Sequence, residues 1–347
     1  MKLNVVTQSL HPRNVFRISR AARGHVQNVF VELHSGGVCG RGEASPNAFY
    51  GETAADVAER LRRAAPFVAG LEIGSVADIK RAWAGAWSLF APSRAAQCAL
   101  DLALWDGLAR REGVSVAELA LGVPARPIRT FCTVGISDAD ELARKAAELR
   151  GFPWVKIKSD ARADLAPAAF VREQTGAALA VDANCAWEGA NLTALSRALA
   201  ALGGLFIEQP LPPAGDDRMP ELLAASVLPI LADESCVTME DVERLPGRFS
   251  GFNVKLVKCG GLTPALAMVR RGRALGLRTM VGCMLESSLL IAAGMVAAQG
   301  SDYADLDGAW LLRDDPFEGT TFARGVLTPG PGPGFGVEPR LNYRLSA

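Results

Sequence analysis

Histidine is almost absent from this chain. His11, His25 and His34 are the 3 present among 347 residues, and all lie near the N-terminus. Nucleophilic triads and zinc centres built on imidazole are therefore not expected, and any metal should sit among hard oxygen ligands. An excess of charge of either sign is also lacking. The 37 basic and 37 acidic residues cancel, which removes the basic surplus that a nucleic acid or an anionic membrane surface would require. No apolar run reaches the roughly 20 residues of a membrane span, and Met1-Lys2-Leu3-Asn4 does not open a signal peptide. The 7 cysteines (Cys39, Cys98, Cys132, Cys185, Cys236, Cys259 and Cys283) are odd in number and scattered, with no zinc-ligand spacing. They read as reduced thiols of a cytoplasmic protein.

With 49% hydrophobic residues, the chain is long enough for one large domain and a smaller one. Residues 1–50 read as strands: Val29-Phe30-Val31-Glu32-Leu33, Gly36-Gly37 and Val38-Cys39-Gly40 form a hairpin pattern whose turn needs glycine. From Thr53 to Gly113 the pattern is helical and alanine-rich, and Arg94–Arg111 places Ala95, Cys98, Ala99, Leu102 and Trp105 at helical spacing. An α+β capping domain over residues 1–124 is expected, closed by Pro124 and Pro127. Residues 125–320 then alternate short β-like runs with helical segments. The runs end at Val134, Lys158, Asn184, Glu208, Glu234, Lys258, Met284 and Asp307, at an interval of about 25 residues. The helical segments include Asp138–Leu149, Leu192–Leu202, Pro264–Leu275 and Leu289–Ala298. Eight such units predict an α/β fold, a parallel (β/α)8 barrel of the TIM type. Residues 321–347, with Pro329-Gly330-Pro331-Gly332-Pro333-Gly334, read as a strap returning to the cap, with a free linker as the alternative.

Active sites of such barrels lie at the C-terminal strand ends, and here those ends carry charge. Val155-Lys156-Ile157-Lys158 alternates, so Lys156 and Lys158 share one face. Two adjacent ammonium groups are expected to lower each other's pKa towards that of a general base; an edge strand with a solvated lysine face is the structural alternative. Asp182, Glu208 and Asp233 stand at what reads as one register of three consecutive strands. Each alone would be an ordinary cap or loop acid, but three converging carboxylates call for a hard divalent ion, Mg²⁺. Strands two and six face each other across the barrel mouth, so Lys158 and Lys255 can approach one carbon from opposite sides. A substrate carboxylate on the metal would have its α-proton acidified through an enediolate, and the pair could carry out 1,1-proton transfer.

Lys156-x-Lys158, Asp182-x-Asn184, Glu208-Gln209-Pro210, Ala232-Asp233-Glu234-Ser235 and Lys255-x-x-Lys258-x-Gly260-Gly261 occur in the order of the enolase superfamily. The chain resembles its muconate-lactonizing-enzyme-like subgroup over essentially its whole length. Sites of that superfamily use a lysine or histidine base with Mg²⁺. The resemblance implies that Lys158 and Lys255 are the acid/base pair, Lys156 lies beside the substrate carboxylate, and Asp182, Glu208 and Asp233 bind Mg²⁺. It places Asn184 and Glu234 behind those ligands. Lys258, out of phase with Lys255, is assigned a structural role.

Asp305-Leu306-Asp307 looks like the Asp-x-Asp motif with which dipeptide epimerases hold the substrate ammonium, although Asp307-Gly308 is also an ordinary turn signal. Ser19-Arg20-Ala21-Ala22-Arg23-Gly24, Ser45-Pro46 and Tyr50-Gly51-Glu52 are similar to the substrate loops of L-Ala-D/L-Glu epimerases. By that likeness Arg23, or else Arg20, binds the glutamyl carboxylate, and Thr133 contacts the dipeptide backbone; an exposed basic loop is the alternative. Ala48-Phe49 departs from the second loop, which puts glutamate specificity in question. Glu286, at the expected end of strand seven, faces the mouth with no role beyond hydrogen bonding. The resemblance implies an isomerase inverting the α-carbon of the C-terminal residue of L-Ala-L-Glu or a similar dipeptide, as in cell-wall peptide reuse. An o-succinylbenzoate synthase or cycloisomerase-type lyase is the second reading, and a non-catalytic binding protein the third. Relatives form homo-oligomers, but the sequence carries no interface signal of its own.

Overall fold

The computed structural model describes residues 1–341; residues 342–347 of the C-terminal segment lie outside the described part. The chain opens with β1 (Lys2–Leu10), a small hairpin of β2 (Phe16–Ile18) and β3 (Ala21–Arg23), and a larger one of β4 (Val26–Ser35) and β5 (Val38–Ala44). Gly36 and Gly37, at φ 58° and 80°, make the two-residue turn of the larger hairpin. β1, β4 and β5 form an antiparallel sheet with β4 in the middle. The helix Arg94–Glu112 lies against it. Contact is that close because β5 carries Gly42, where a Cβ would stand 2.0 Å from the Ala99 carbonyl oxygen. Ser93 caps this helix by accepting from the Ala96 N–H, and Gly113 ends it in the left-handed conformation.

After the short β6 (Ile128–Arg129) come the eight barrel strands: β7 (Cys132–Val134), β8 (Trp154–Lys158), β9 (Ala178–Asp182), β10 (Gly204–Glu208), β11 (Ile230–Ala232), β12 (Gly251–Lys255), β13 (Arg278–Gly282) and β14 (Tyr303–Asp305). They pair in sequential order and all in parallel. The Phe131 N–H donates to the Ala304 carbonyl at 2.9 Å across the seam between β7 and β14. The expected barrel is present, and the four singled-out helices appear as Ala139–Glu148, Leu192–Ala201, Leu262–Ala274 and Ser288–Ala298.

Five strands end earlier than the sequence suggested, at Asp182, Ala232, Lys255, Gly282 and Asp305. Asn184 and Cys185 have positive φ of 44° and 68°, which no strand accommodates. Leu256–Cys259 is a short helix, so Lys258 is not on a strand at all.

The period of two explains how the barrel carries a charged site. Phe131, Ala180, Phe206, Leu231 and Met280 form a dry cluster inside it. Two residues further along the chain from each of these, the same inward direction presents Thr133, Asp182, Glu208 and Gly282 on their strands and Asp233 just past the end of β11. An apolar plug thus supports a polar floor. At the other end of the chain, the hairpin of Thr321–Ala323 and Val326–Thr328 pairs with β6. The Phe335 N–H donates to Asp106 at 2.9 Å, and Arg110 pairs with Glu338, so the C-terminal segment lies across the Arg94–Glu112 helix. Among the described residues no helix is long and apolar enough to cross a membrane.

Candidate active site

Asp182, Glu208 and Asp233 are fully buried, and an oxygen of each lies within 4.8 Å of the others. Their register is not uniform: Asp182 pairs with Glu208, but Glu208 pairs with Leu231, so Asp233 reaches in from two residues beyond. Lysines surround the cluster. Lys158 donates to Asp182 at 2.5 Å, Lys156 to Glu208 at 2.9 Å and also to Asp305, and Lys255 to Asp233 at 2.9 Å. Lys156 and Lys158 do share a face, but the expected mutual lowering of pKa is not found for Lys156. Burial disfavours its charge, yet Asp305, Glu208 and Asp182 together outweigh burial and raise it. For Lys255 likewise, burial is outweighed by Asp233 and Glu208.

The carboxylates respond in opposite directions. Burial, followed by the charge of Asp182, pushes Glu208 up to about 7. Asp233 is buried just as deeply, but Lys255 and Lys258 hold it well below the ordinary range. Lys258 also donates to the carbonyls of Asp233, Cys236 and Asn253. It is a tie behind Asp233, away from the cavity lining.

Asp305 ends β14, whereas Asp307 lies beyond the strand, not on its face. Both nevertheless converge on Thr133, whose N–H donates to Asp307 at 2.6 Å and whose hydroxyl donates to Asp305 at 3.3 Å. Burial and the neighbouring Asp305 push Asp307 up to about 7. Between the cap loops and this floor is a cavity of about 350 Å³ that reaches Lys158, Lys255, Thr133, Asp305, Asp307, Arg20 and Arg23.

The two arginines differ in their ties. Arg20 sits 2.6 Å from Glu234, donates to the Asn184 carbonyl at 3.1 Å and stacks on Phe49. Arg23 donates to the Asn47 side chain at 3.3 Å and has no carboxylate partner among the described residues. Burial, then the charge of Arg20, lowers its pKa. Glu286 does not face the mouth: it is buried behind the wall and accepts from the Met284 N–H at 2.9 Å.

Sequence reasoning passed over Asn253, which donates to Glu208 at 2.7 Å. Its signal was available, since it stands two residues before Lys255 and so shares the inward face. Gly282 opposite makes the room: a Cβ there would meet the Asn253 side chain at 2.5 Å.

The donor set fits Mg²⁺. Its ligating atoms are carboxylate oxygens, and beside them Asn184 Oδ1 and Glu234 Oε2 are buried acceptors without a hydrogen-bond partner among the described residues. Hard oxygens around a small cavity select a hard cation over a thiophilic one.

An eight-stranded parallel barrel with lysines on opposite strands flanking a carboxylate triad defines a class: capped barrel enzymes performing acid–base chemistry beside a hard cation. Comparison with known proteins identifies the family. The model for the mandelate racemase / muconate lactonizing enzyme N-terminal domain matches residues 2–122, and the enolase C-terminal domain-like model matches residues 138–343. The chain belongs to the enolase superfamily. It is 38% identical to an L-Ala-D/L-amino acid epimerase from Flavobacterium johnsoniae, covering 94% of this chain and 96% of that protein. Among solved structures it is similar to an enolase family member from Agrobacterium tumefaciens with homology to dipeptide epimerases, bound to sodium and L-Ala-L-Glu. The TM-score is 0.85, with 35% identity over 95% of this chain and 98% of that one. A dipeptide epimerase from Enterococcus faecalis complexed with Mg and L-Leu-L-Tyr superposes with a TM-score of 0.89, at 28% identity over 97% of this chain and 98% of that one.

Proposed function

We propose that this protein is a Mg²⁺-dependent dipeptide epimerase that inverts the α-carbon of the C-terminal residue of L-Ala-L-Glu or a similar dipeptide. One observation carries the reading: Lys158 and Lys255 come from strands four apart around an eight-stranded barrel, and both reach the same cavity. Inversion needs a proton taken from one face of a carbon and one delivered to the other, which two opposed lysines supply. Asp182, Glu208 and Asp233 hold the Mg²⁺, which when bound stabilises the negative charge that develops on the substrate carboxylate as the α-proton leaves. Lys158, bonded to Asp182, and Lys255, bonded to Asp233, are the two amines that take and return the proton. Lys156 sits beside the substrate carboxylate as a fixed positive charge. Asp305 and Asp307 receive the ammonium, Thr133 orients them, and Arg23 faces the side chain of the inverted residue.

The identity of the relatives and the paired acids at Asp305 and Asp307 favour epimerisation over a lyase, whose substrates have no cationic end to hold. The reading extends to reuse of cell-wall peptides in the cytoplasm, a reducing compartment in which the seven free cysteines would stay reduced.

The test is proton NMR of L-Ala-L-Glu with enzyme and Mg²⁺ in D₂O. The glutamyl α-proton signal is expected to disappear as L-Ala-D-Glu accumulates, and both changes should stop when the metal is chelated. Absence of exchange across a library of dipeptides would refute the reading.

A further inference from the structure

The cavity wall formed by Cys283, Met284 and Leu285 belongs to the barrel, but side chains of the cap hold it. The Leu285 carbonyl accepts from Asn28 Nδ2 at 3.0 Å and from Ser45 Oγ at 3.2 Å. Just behind it, Glu43 on β5 takes four donors. Oε1 accepts from Asn28 Nδ2 at 2.8 Å and from the Ser287 N–H at 3.0 Å, and Oε2 accepts from Ser287 Oγ and from the Leu290 N–H at 3.3 Å. Glu43 is fully buried, as are Asn28 and Ser287. Nothing in this cluster reaches the lysines or the carboxylate triad.

We propose that Glu43, supported by Asn28, is a positioning residue that fixes the 283–287 segment against the cap and so sets the shape of the substrate cavity. The residues that move protons stand on strand ends held by the barrel. The wall that meets the substrate is held by a carboxylate on another part of the chain, 244 positions away. Asn28 Oδ1 has no hydrogen-bond partner among the described residues, but the donors that Asn28, Ser287 and Leu290 direct at Glu43 all find an oxygen there, and a low-dielectric cluster that loses such an acceptor also loses its single geometry. Loosening Glu43 therefore blurs the wall and weakens substrate binding, while the acid–base pair keeps its place.

A comparison within the same molecule separates positioning from plain stability. Asp101 is also a buried carboxylate of the cap that grips a barrel helix, accepting from the Thr263 N–H at 2.9 Å and from its hydroxyl at 2.6 Å. None of the residues it holds lines the cavity. E43Q leaves the Leu290 N–H without its acceptor, and D101N perturbs its own cluster in a similar way.

The inference rests on the epimerase reading, so wild-type enzyme is assayed first on L-Ala-L-Glu by α-proton exchange in D₂O; failure there concerns the reading, not Glu43. Given wild-type activity, E43Q is expected to raise KM about tenfold with kcat changed less than about threefold, the cost of one spoiled buried hydrogen bond. D101N is expected to lower the melting temperature with KM unchanged. Equal KM values for E43Q and wild type, or the same KM rise in D101N, would overturn the proposal. Should E43Q not accumulate as folded protein, N28A decides alone: a KM raised at least about threefold supports the proposal, and a wild-type KM refutes it.

Discussion

Lys258 Nζ donates to Asp233 Oδ1 at 2.6 Å, on the far side of the carboxylate from Lys255, which takes Oδ2 at 2.9 Å. One acid is thus held by a lysine that faces the cavity and one that does not. Lys258 also satisfies three backbone carbonyls, at 2.6, 3.0 and 3.0 Å. Replacing it by methionine keeps most of the volume but leaves a buried acid half-paired and takes one donor from each of those carbonyls. We expect K258M to lose about 3–5 kcal/mol of stability, or roughly 10 °C in melting temperature. It should also need more Mg²⁺ for half-maximal activity. A melting curve that overlays the wild type would show that Lys258 does not support Asp233.

Lys158 and Lys255 should fail in different ways. If each lysine serves one face of the α-carbon, K158M loses most of its epimerisation yet keeps deuterium exchange from one diastereomer, and K255M keeps it from the other. Turnover in both variants should fall by about 10²–10⁴-fold. The measurement is exchange of L-Ala-L-Glu and L-Ala-D-Glu separately in D₂O. Exchange of both diastereomers by either variant would mean that one base suffices.

Asp307 lines the cavity and takes the Thr133 N–H, whereas Asp305 is already shared between Lys156 and Thr133. The ammonium of the substrate should therefore lean chiefly on Asp307. D307N is expected to raise KM for L-Ala-L-Glu about tenfold, as for the loss of a charge-assisted hydrogen bond. The N-acetylated dipeptide has no ammonium to lose, so the variant should discriminate less between the two substrates than the wild type does. Unchanged discrimination would assign Asp307 to the architecture of β14 and β7 instead.

Much of this site was legible before any coordinates because it obeys one period. Strand alternation alone puts Lys156 and Lys158, or Asn253 and Lys255, on one face, and the recurrence of strands puts those faces around a common axis. Legibility stops where alternation stops. Asp233 and Asp307 stand past their strands, in loops whose path depends on partners distant in sequence. Lys258 is on a helical turn that a run of Asn-Val-Lys-Leu-Val-Lys does not announce. The sign of the pKa shift on Lys156 is not legible in the sequence for a related reason: its lysine neighbour is two positions away, while the three carboxylates that decide its charge come from three other strands. Glu43 was invisible altogether, because three of its four donors lie more than two hundred positions away.

The other buried carboxylate of the cap, Asp101, links this architecture to pH. Burial pushes it from its ordinary value of 3.8 up to about 7, in spite of the two bonds from Thr263. Glu43 behaves the same way, rising from 4.5 to about 7 through burial. A carboxyl raised on folding binds its proton more tightly in the folded chain than in the unfolded one. Its stabilising contribution is complete below about pH 4 and is lost as pH rises through about 7. Asparagine at position 101 cannot ionise and so removes one of these two contributions. The melting temperature of D101N, followed from pH 4.5 to 7.5, should therefore fall less steeply than that of the wild type, with the two curves drawing together at the alkaline end. Parallel curves over that window would mean that Asp101 titrates alike in the folded and unfolded chains, and that its bonds to Thr263 fully offset its burial.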